Sequence, residues 1–226
     1  MAVVQAQQPA STAPPPDAPS ATQARRKPPA GFFSTLNHKS IFFPDIATNE
    51  GRLSTGDKFK LFVDNSASLS ALVGAAASAG IDQADDTPRG YGQGGEAYAK
   101  RFGANMARNA SSNFFGTFLL ASMLRQDPRF FPQADPTFGG SIKYAVTRVV
   151  VTRNDDGNDV ANWSGLLGPL MAEGLANAYW PERDRTVGQT FGRYGLDLAS
   201  RAGFNFLRNY WPVFFGKMRH TDRSSH

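Results

Sequence analysis

Charged residues recur at every fourth position near the end of the chain: Arg193, Asp197 and Arg201. Residues four apart lie on one face of a helix, so Asp197 can pair with either arginine. Glu173 is the only charged residue within positions 160–181. A lone carboxylate in an apolar helix needs a cationic partner if it is buried. The candidate partners are Arg108, Arg193 and Arg201.

These residues are compatible with three kinds of chemistry. Packed inside a bundle, Glu173, Arg108, Arg193, Asp197 and Arg201 would form a polar site that binds a small anion or a lipid head group. The same residues would equally form a structural ion-pair network or a solvated helix face. An enzyme would need Glu173 or Asp197 in an open cleft with a strongly perturbed pKa, and no motif fixes two carboxylates on one catalytic face.

Several ligand and reaction classes lack the residues that they need. The chain has no cysteine, which excludes disulfides, thiolate nucleophiles and zinc–thiolate sites. Among the three histidines only His38 lies outside the C-terminal tail, so no metal centre or histidine-based triad is expected. The net charge is +5, but lysines and arginines are scattered, so nucleic-acid binding is not expected. No cofactor is predicted.

Two loops have the composition of ligand motifs without their context. The glycine-rich segment 90–95 follows a predicted Ser/Ala helix, whereas a dinucleotide loop follows a strand. The acidic segment 155–159 lacks the alternating ligands and the closing glutamate of an EF-hand. We interpret both segments as loops or turns.

Apolar periodicity and Gly/Pro breaks predict the elements that position these residues. Asp57 is the expected cap of the first helix, with Thr55 as a second candidate. The stretch 139–153 fits a strand as well as one face of a helix, and we favour the helix. The fold class is therefore all-α, a bundle or array of about five helices. Predicted helices span residues 57–81, 96–125, 139–153, 163–179 and 186–210.

Small residues spaced four apart occupy the helix interiors. Each glycine costs a helix about 1 kcal/mol relative to alanine, so close approach between helices is the expected compensation. Such tight packing is frequent in membranes and also occurs in soluble proteins. The pairs are Gly74 and Ser78, Gly168 and Ala172, Ala172 and Ala176, and Gly174 and Ala178.

Aromatic pairs followed by proline stand at three predicted helix ends. With arginine or lysine nearby, they have the composition of the belt at a membrane–water interface. The alternative is helix termination with aromatic capping of the core. The candidate interface residues are Phe130, Phe131, Tyr179, Trp180, Tyr210 and Trp211.

Composition divides the chain into four parts. Residues 1–30 form a Pro/Ala-rich tail that we expect to be disordered, because it has too few apolar residues to offset the entropy of ordering. An irregular aromatic segment follows at 31–56, then the helical domain at 57–216 and a polar C-terminal tail at 217–226. Val4 and Ala6 match the small-residue positions before a signal-peptide cleavage point, which favours export over a low-complexity cytoplasmic tail.

Several motifs together carry a family resemblance. Segments 90–94, 98–103, 126–131, 152–157, 162–164 and 177–181 resemble an uncharacterised group of exported bacterial proteins with Gly/Ala-rich helices. Some members of that group carry this region behind a carboxypeptidase-regulatory-like β-sandwich module. The resemblance covers about residues 57–215, and it implies a location in the cell envelope but no activity.

The sequence thus predicts a non-enzymatic helical protein of the cell envelope. It would attach to a membrane surface, to lipid or to a partner, and it would self-associate as a homo-oligomer. We expect it in the periplasm or the envelope membrane. One alternative is a soluble exported domain that binds a small ligand or a lipid head group. The other is a lipid-directed enzyme.

Overall fold

A computed structural model of the chain describes residues 40–223, with the side chains except those of Arg183 and residues 214–223. The predicted disordered tail at 1–30 and the signal-peptide match lie outside the described residues. The all-α prediction is confirmed. The helices are α1 (Thr55–Ser66), α2 (Leu69–Ala84), α3 (Gly95–Asn113), α4 (Phe138–Val150), α5 (Trp163–Ala176) and α6 (Val187–Arg223).

The first predicted helix, 57–81, is two helices. Ser68 breaks it, because its hydroxyl accepts a hydrogen bond from the Ala71 backbone N–H at 3.1 Å and so caps α2. The start of α1 also differs from the prediction. Ser54 is the cap and Asp57 is the third residue of a capping box, in which its carboxylate accepts from the Ser54 backbone N–H.

A π-helix, Phe114–Leu120, extends α3 and ends in a helical turn at Ala121–Met123. It crosses α5 where two glycines meet. A Cβ atom built on Gly168 would lie 2.5 Å from the Gly116 Cα atom and 2.6 Å from its nitrogen. The backbones are therefore in direct contact, which confirms the predicted tight packing by small residues. The other predicted glycine of α5, Gly174, has no atom near its Cβ position.

The stretch 139–153 contains both of the predicted alternatives. Helix α4 ends at Val150, and strand β2 (Val151–Asn154) starts at the next residue. Strand β2 pairs antiparallel with β1 (Gln126–Asp127) and with β3 (Asp159–Ala161), in the order β1-β2-β3. Residues 155–158 form the turn between β2 and β3, as the composition of the 155–159 segment predicts.

The C-terminal helices differ from the prediction in length. Helix α5 ends at Ala176, and a 3₁₀ turn, Glu182–Asp184, leads to α6. Helix α6 does not end near Tyr210 but continues through Pro212 to Arg223. Upstream, residues 40–54 contain no helix, and one backbone bridge joins Ile46 to Phe130.

The helices bury their small and polar faces and expose large apolar side chains. Ser141 and Ala145 are the buried residues of α4, and α5 buries six residues that are small, proline or Glu173. The exposed apolar side chains recur every fourth residue, and we call these two sets the outer stripes. They are Phe138, Ile142, Val146 and Val150 on α4, and Trp163, Leu167, Met171 and Leu175 on α5.

Helix α6 also buries polar residues and exposes large apolar ones. Asn205 and Asn209 are buried against α4, where Asn209 Nδ2 donates to the Ser141 hydroxyl at 2.8 Å and Asn205 Nδ2 donates to the Ala145 carbonyl at 3.2 Å. Its large apolar residues Phe191 and Leu196 are instead exposed. None of the described helices has both the length and the hydropathy that crossing a membrane requires.

Candidate functional site

Glu173 is buried on α5 and paired with two arginines. Its side chain is only 2% exposed. Oε1 accepts from Arg108 Nη1 at 3.0 Å, and Oε2 accepts from Arg193 Nε at 2.8 Å. Two of the three candidate partners thus meet Glu173, one from α3 and one from α6. Because both oxygens are engaged by guanidinium groups, this carboxylate links three helices and is not arranged as a general base.

The two arginines are used differently. The N–H groups of Arg193 donate to protein groups. Nη1 donates to the Asp184 carbonyl at 3.0 Å, and Nη2 donates to Asn177 Oδ1 at 2.9 Å. Its guanidinium also lies 4.2 Å from the centroid of the Trp180 ring. Arg108 makes one hydrogen bond to another described side chain, the one to Glu173. Its other N–H groups make no hydrogen bond within the described part of the chain.

Asp197 pairs with Arg201, four residues further along α6, and not with Arg193. The Arg201 Nε donates to Asp197 Oδ2 at 2.7 Å, and Nη2 donates to the Ser112 hydroxyl of α3 at 2.7 Å. Both side chains are partly exposed. The five predicted site residues therefore form two groups, joined through α3 by Arg108 and Ser112.

A cleft of about 290 Å³ is lined by Arg108 from the first group and by Asp197 and Arg201 from the second. Helix α2 contributes small residues, among them Ala71, Gly74 and Ala75, while α3 and α6 contribute polar ones. The charged side chains along its wall are five arginines and two aspartates: Arg108, Arg129, Arg148, Arg201, Arg208, Asp45 and Asp197. The wall is thus rich in guanidinium groups, although Glu173 and Arg193 lie behind it.

Four of these arginines have a carboxylate of their own. Arg208 binds Asp45, and Arg201 binds Asp197. Arg129 and Arg148 bind Asp127 and Asp159 respectively, neither of which lines the cleft. Arg108 instead shares the carboxylate of Glu173 with Arg193. It is the wall arginine whose charge is least compensated by direct contacts.

The polar residues of α3 complete the cleft, and the sequence analysis did not identify them. Asn105, Asn109, Ser112 and Asn113 all line it. Asn109 Oδ1 accepts from Asn113 Nδ2 at 3.0 Å. Their spacing of three or four residues beside Arg108 was the available signal.

Tyr179 lies beside the Glu173 pair. Burial raises the pKa of its phenol, and Arg108 opposes the rise through its positive charge while Glu173 adds to it. The neutral phenol is therefore the favoured form. Within the aromatic pair Tyr179 and Trp180, Tyr179 is the residue that remains exposed.

Three of the predicted interface aromatics are buried in the protein, so that part of the prediction is wrong. Phe130 and Phe131 are each 8% exposed and Trp180 is 5% exposed. The backbone of Phe130 forms the bridge to Ile46, and the ring of Trp180 packs against the guanidinium of Arg193. Tyr210 and Trp211 are half-buried. These aromatics cap the core, which was the alternative interpretation.

A second buried ion pair joins Lys58, near the start of α1, to Asp155 in the turn after β2. Lys58 is 2% exposed, and its Nζ lies 2.8 Å from Asp155 Oδ1 and 3.2 Å from the Ala121 carbonyl. Arg101 is equally buried and donates to the carbonyls of Thr87, Gly92 and Pro88. Both cations are saturated by protein groups, so they serve the fold.

Comparisons of the chain with protein-family models, with curated proteins and with solved structures find no match.

Proposed function

We propose that this chain is a non-enzymatic helical protein of the cell envelope that binds a lipid membrane through the outer stripes of α4 and α5. The observation that carries the proposal is the reversed polarity of the helices. Residues that face the interior are small or polar, and residues that face outward every fourth position are large and apolar. In an aqueous protein the large apolar face of a helix normally packs inward.

The stripes are costly in water. Burying one Leu, Ile or Phe side chain completely is worth about 1.5–3 kcal/mol. The side chains of the two stripes range from 39% exposed at Leu167 to 70% exposed at Phe138. Eight partly exposed residues therefore offer several kcal/mol to a surface that covers them. Contiguous apolar patches of this kind mark membrane or partner interaction sites.

Lipid accounts for the distribution better than a second copy of the chain does. Exposed apolar side chains also occur on α2 and α6, for example Val73 at 56% and Phe191 at 57%. The outward faces of helices in a bundle point in different directions, so one neighbouring protein would cover only part of them. The net charge of +5 adds attraction to anionic lipids.

The export expectation supports the same location. The resemblance of the helical region to exported bacterial proteins favours the envelope. We therefore propose that the membrane concerned is an envelope membrane. The polar interior, built around the Glu173 ion pairs, would then fix the helices so that the stripes keep facing outward.

Membrane fractionation with an alkaline carbonate wash tests this proposal. The full chain should remain in the washed membrane fraction. A variant with Leu167→Gln and Leu175→Gln should move to the supernatant, because glutamine keeps the helix propensity but removes the apolar surface. The matched control carries Ile41→Gln and Met123→Gln, which are more exposed but lie outside the stripes.

The control should stay with the membrane as the unchanged chain does. If the unchanged chain appears in the supernatant, and size-exclusion chromatography shows a dimer that dissociates in the stripe variant, the stripes bind a second copy and the membrane proposal is wrong. Equal loss of both variants from the membrane would also contradict it, because binding would then not depend on the stripes.

A further inference from the structure

We propose that the cleft between α2, α3 and α6 is a binding site for a phosphate-type anion, with Arg108 as its main ligand. This inference goes beyond the membrane proposal and uses none of the stripe residues. Its first support is the composition of the wall, which carries five arginines and two aspartates. Guanidinium groups bind phosphate through parallel N–H donors, with higher strength than neutral groups.

Arg108 is the arginine with donors to offer. Its side chain is 23% exposed, and its contact with Glu173 uses Nη1. Arg201, across the cleft, uses Nε and Nη2 for Asp197 and Ser112. Arg193 binds the other oxygen of Glu173 from behind the wall. The pair therefore holds Arg108 in place while leaving the outer edge of its guanidinium open to the cleft.

Neutral polar side chains line the same cleft. The described residues give the Asn109 side chain one hydrogen bond, through Oδ1, and none through its amide nitrogen. Asn65 also lines the cleft, and its buried Oδ1 atom has no hydrogen-bond partner within the described part of the chain. An unpaired buried acceptor costs about 1–3 kcal/mol. A polar guest would satisfy it, since the amide can present either its oxygen or its nitrogen.

The small side chains of α2 leave space for a ligand in the cleft. Ala71, Gly74, Ala75 and Ser78 form its wall, and none of them extends across the cleft. The resulting volume of about 290 Å³ is at the lower end of the range for ligand sites. This size suits a phosphate group with a short substituent. The same chemistry is present in a free phosphate ester and in the head group of an anionic lipid.

Isothermal titration of the full chain with inorganic phosphate, at constant ionic strength against chloride, is the first arm of the test. Asn109→Asp places a negative charge in the cleft with almost no change of shape. It should weaken phosphate binding at least about tenfold, which is about 1.4 kcal/mol. The matched control is Asn158→Asp, the same change at an exposed turn residue whose side chain is not in the cleft.

The second arm separates the two sources of the anion. Binding is compared for vesicles of phosphatidylcholine alone and vesicles that also contain phosphatidic acid. If the natural anion is a lipid head group, the chain should prefer the second vesicles, and Asn109→Asp should reduce that preference more than Asn158→Asp, which makes the same change in net charge. If it is a soluble ester, both variants should show the same vesicle preference and only phosphate titration should separate them.

Arg108→Lys provides a further variant that keeps the positive charge beside Glu173 but removes the planar fork. It should reduce phosphate affinity while the circular dichroism spectrum stays unchanged. The proposal is overturned if Asn109→Asp and Asn158→Asp bind phosphate and both vesicles equally. It is also overturned if the unchanged chain prefers neither phosphate over chloride nor acidic over neutral vesicles. Binding to phosphatidylcholine alone would still support the membrane proposal in either case.

Discussion

Adding a single methyl group at Gly168 should separate two helices that hold the site together. A Cβ atom there would lie 2.5 Å from the Gly116 Cα atom, and the obstructing atoms belong to backbone. A flexible side chain could turn away, but a helix backbone must move as a body. Gly168→Ala should therefore force α5 away from the π-helix, near the point where Ser112 meets Arg201.

The magnitude follows from a matched glycine on the same helix. Gly174 is exposed and has no atom within 4 Å of its Cβ position. Both substitutions gain about 1 kcal/mol of helix propensity at most. Only Gly168→Ala also overpacks an interior contact, which costs about 1–3 kcal/mol. The propensity gain cancels in the comparison, so the Gly168→Ala protein should be less stable than the Gly174→Ala protein by about 1–3 kcal/mol.

Urea denaturation followed by far-UV circular dichroism measures this difference directly, with both variants in the same buffer or detergent. Gly174→Ala should match or slightly exceed the unchanged chain in its free energy of unfolding. If Gly168→Ala is as stable as Gly174→Ala, the helices do not cross in backbone contact at Gly116, and the small-residue packing argument is refuted.

Three further outcomes follow from the ion pairs, the caps and the tyrosine. Glu173→Gln removes a buried charge that holds two partly buried arginines and should cost about 3–5 kcal/mol, whereas Asp197→Asn breaks a partly exposed pair and should cost less than about 1 kcal/mol in the same denaturation assay. Ser54→Ala removes the hydroxyl of a capping box and should cost about 1 kcal/mol, and an unchanged midpoint would mean that the cap does not act. Because burial raises the pKa of Tyr179, stability should be complete below about pH 10 and should fall as the pH rises through the raised value. Tyr179→Phe should reduce that fall, and an identical pH profile would contradict the assignment.

The helices and the partners of Glu173 were predictable, because both follow from short-range rules. A lone carboxylate in an apolar helix must find a cation, and Arg108 and Arg193 were two of three candidates. The break at Ser68 was missed because serine also occurs inside helices, and only the cap hydrogen bond to Ala71 distinguishes the two cases.

The cleft and the outer stripes required the three-dimensional structure. Periodicity identifies a face of α4 with Ile142 and Val146, but it does not say whether that face points inward. The usual expectation is inward, and here these side chains are exposed. The aromatic pairs followed by proline were predicted to lie at a membrane interface, and that prediction failed for the same reason. Their residue types suit an interface, whereas packing against Arg193 buries Trp180.

Fluorescence quenching by brominated lipid tests the membrane proposal most directly, because two of the three tryptophans have opposite environments. Trp163 belongs to the outer stripe of α5 and is 54% exposed, while Trp180 is 5% exposed in the interior. Two proteins would each keep one of these residues, with the other tryptophans changed to phenylalanine, and would be mixed with vesicles brominated in the acyl chains. We predict strong quenching of Trp163 and weak quenching of Trp180. If Trp163 is not quenched, or if both are quenched equally, the stripe does not face lipid and the proposal is wrong.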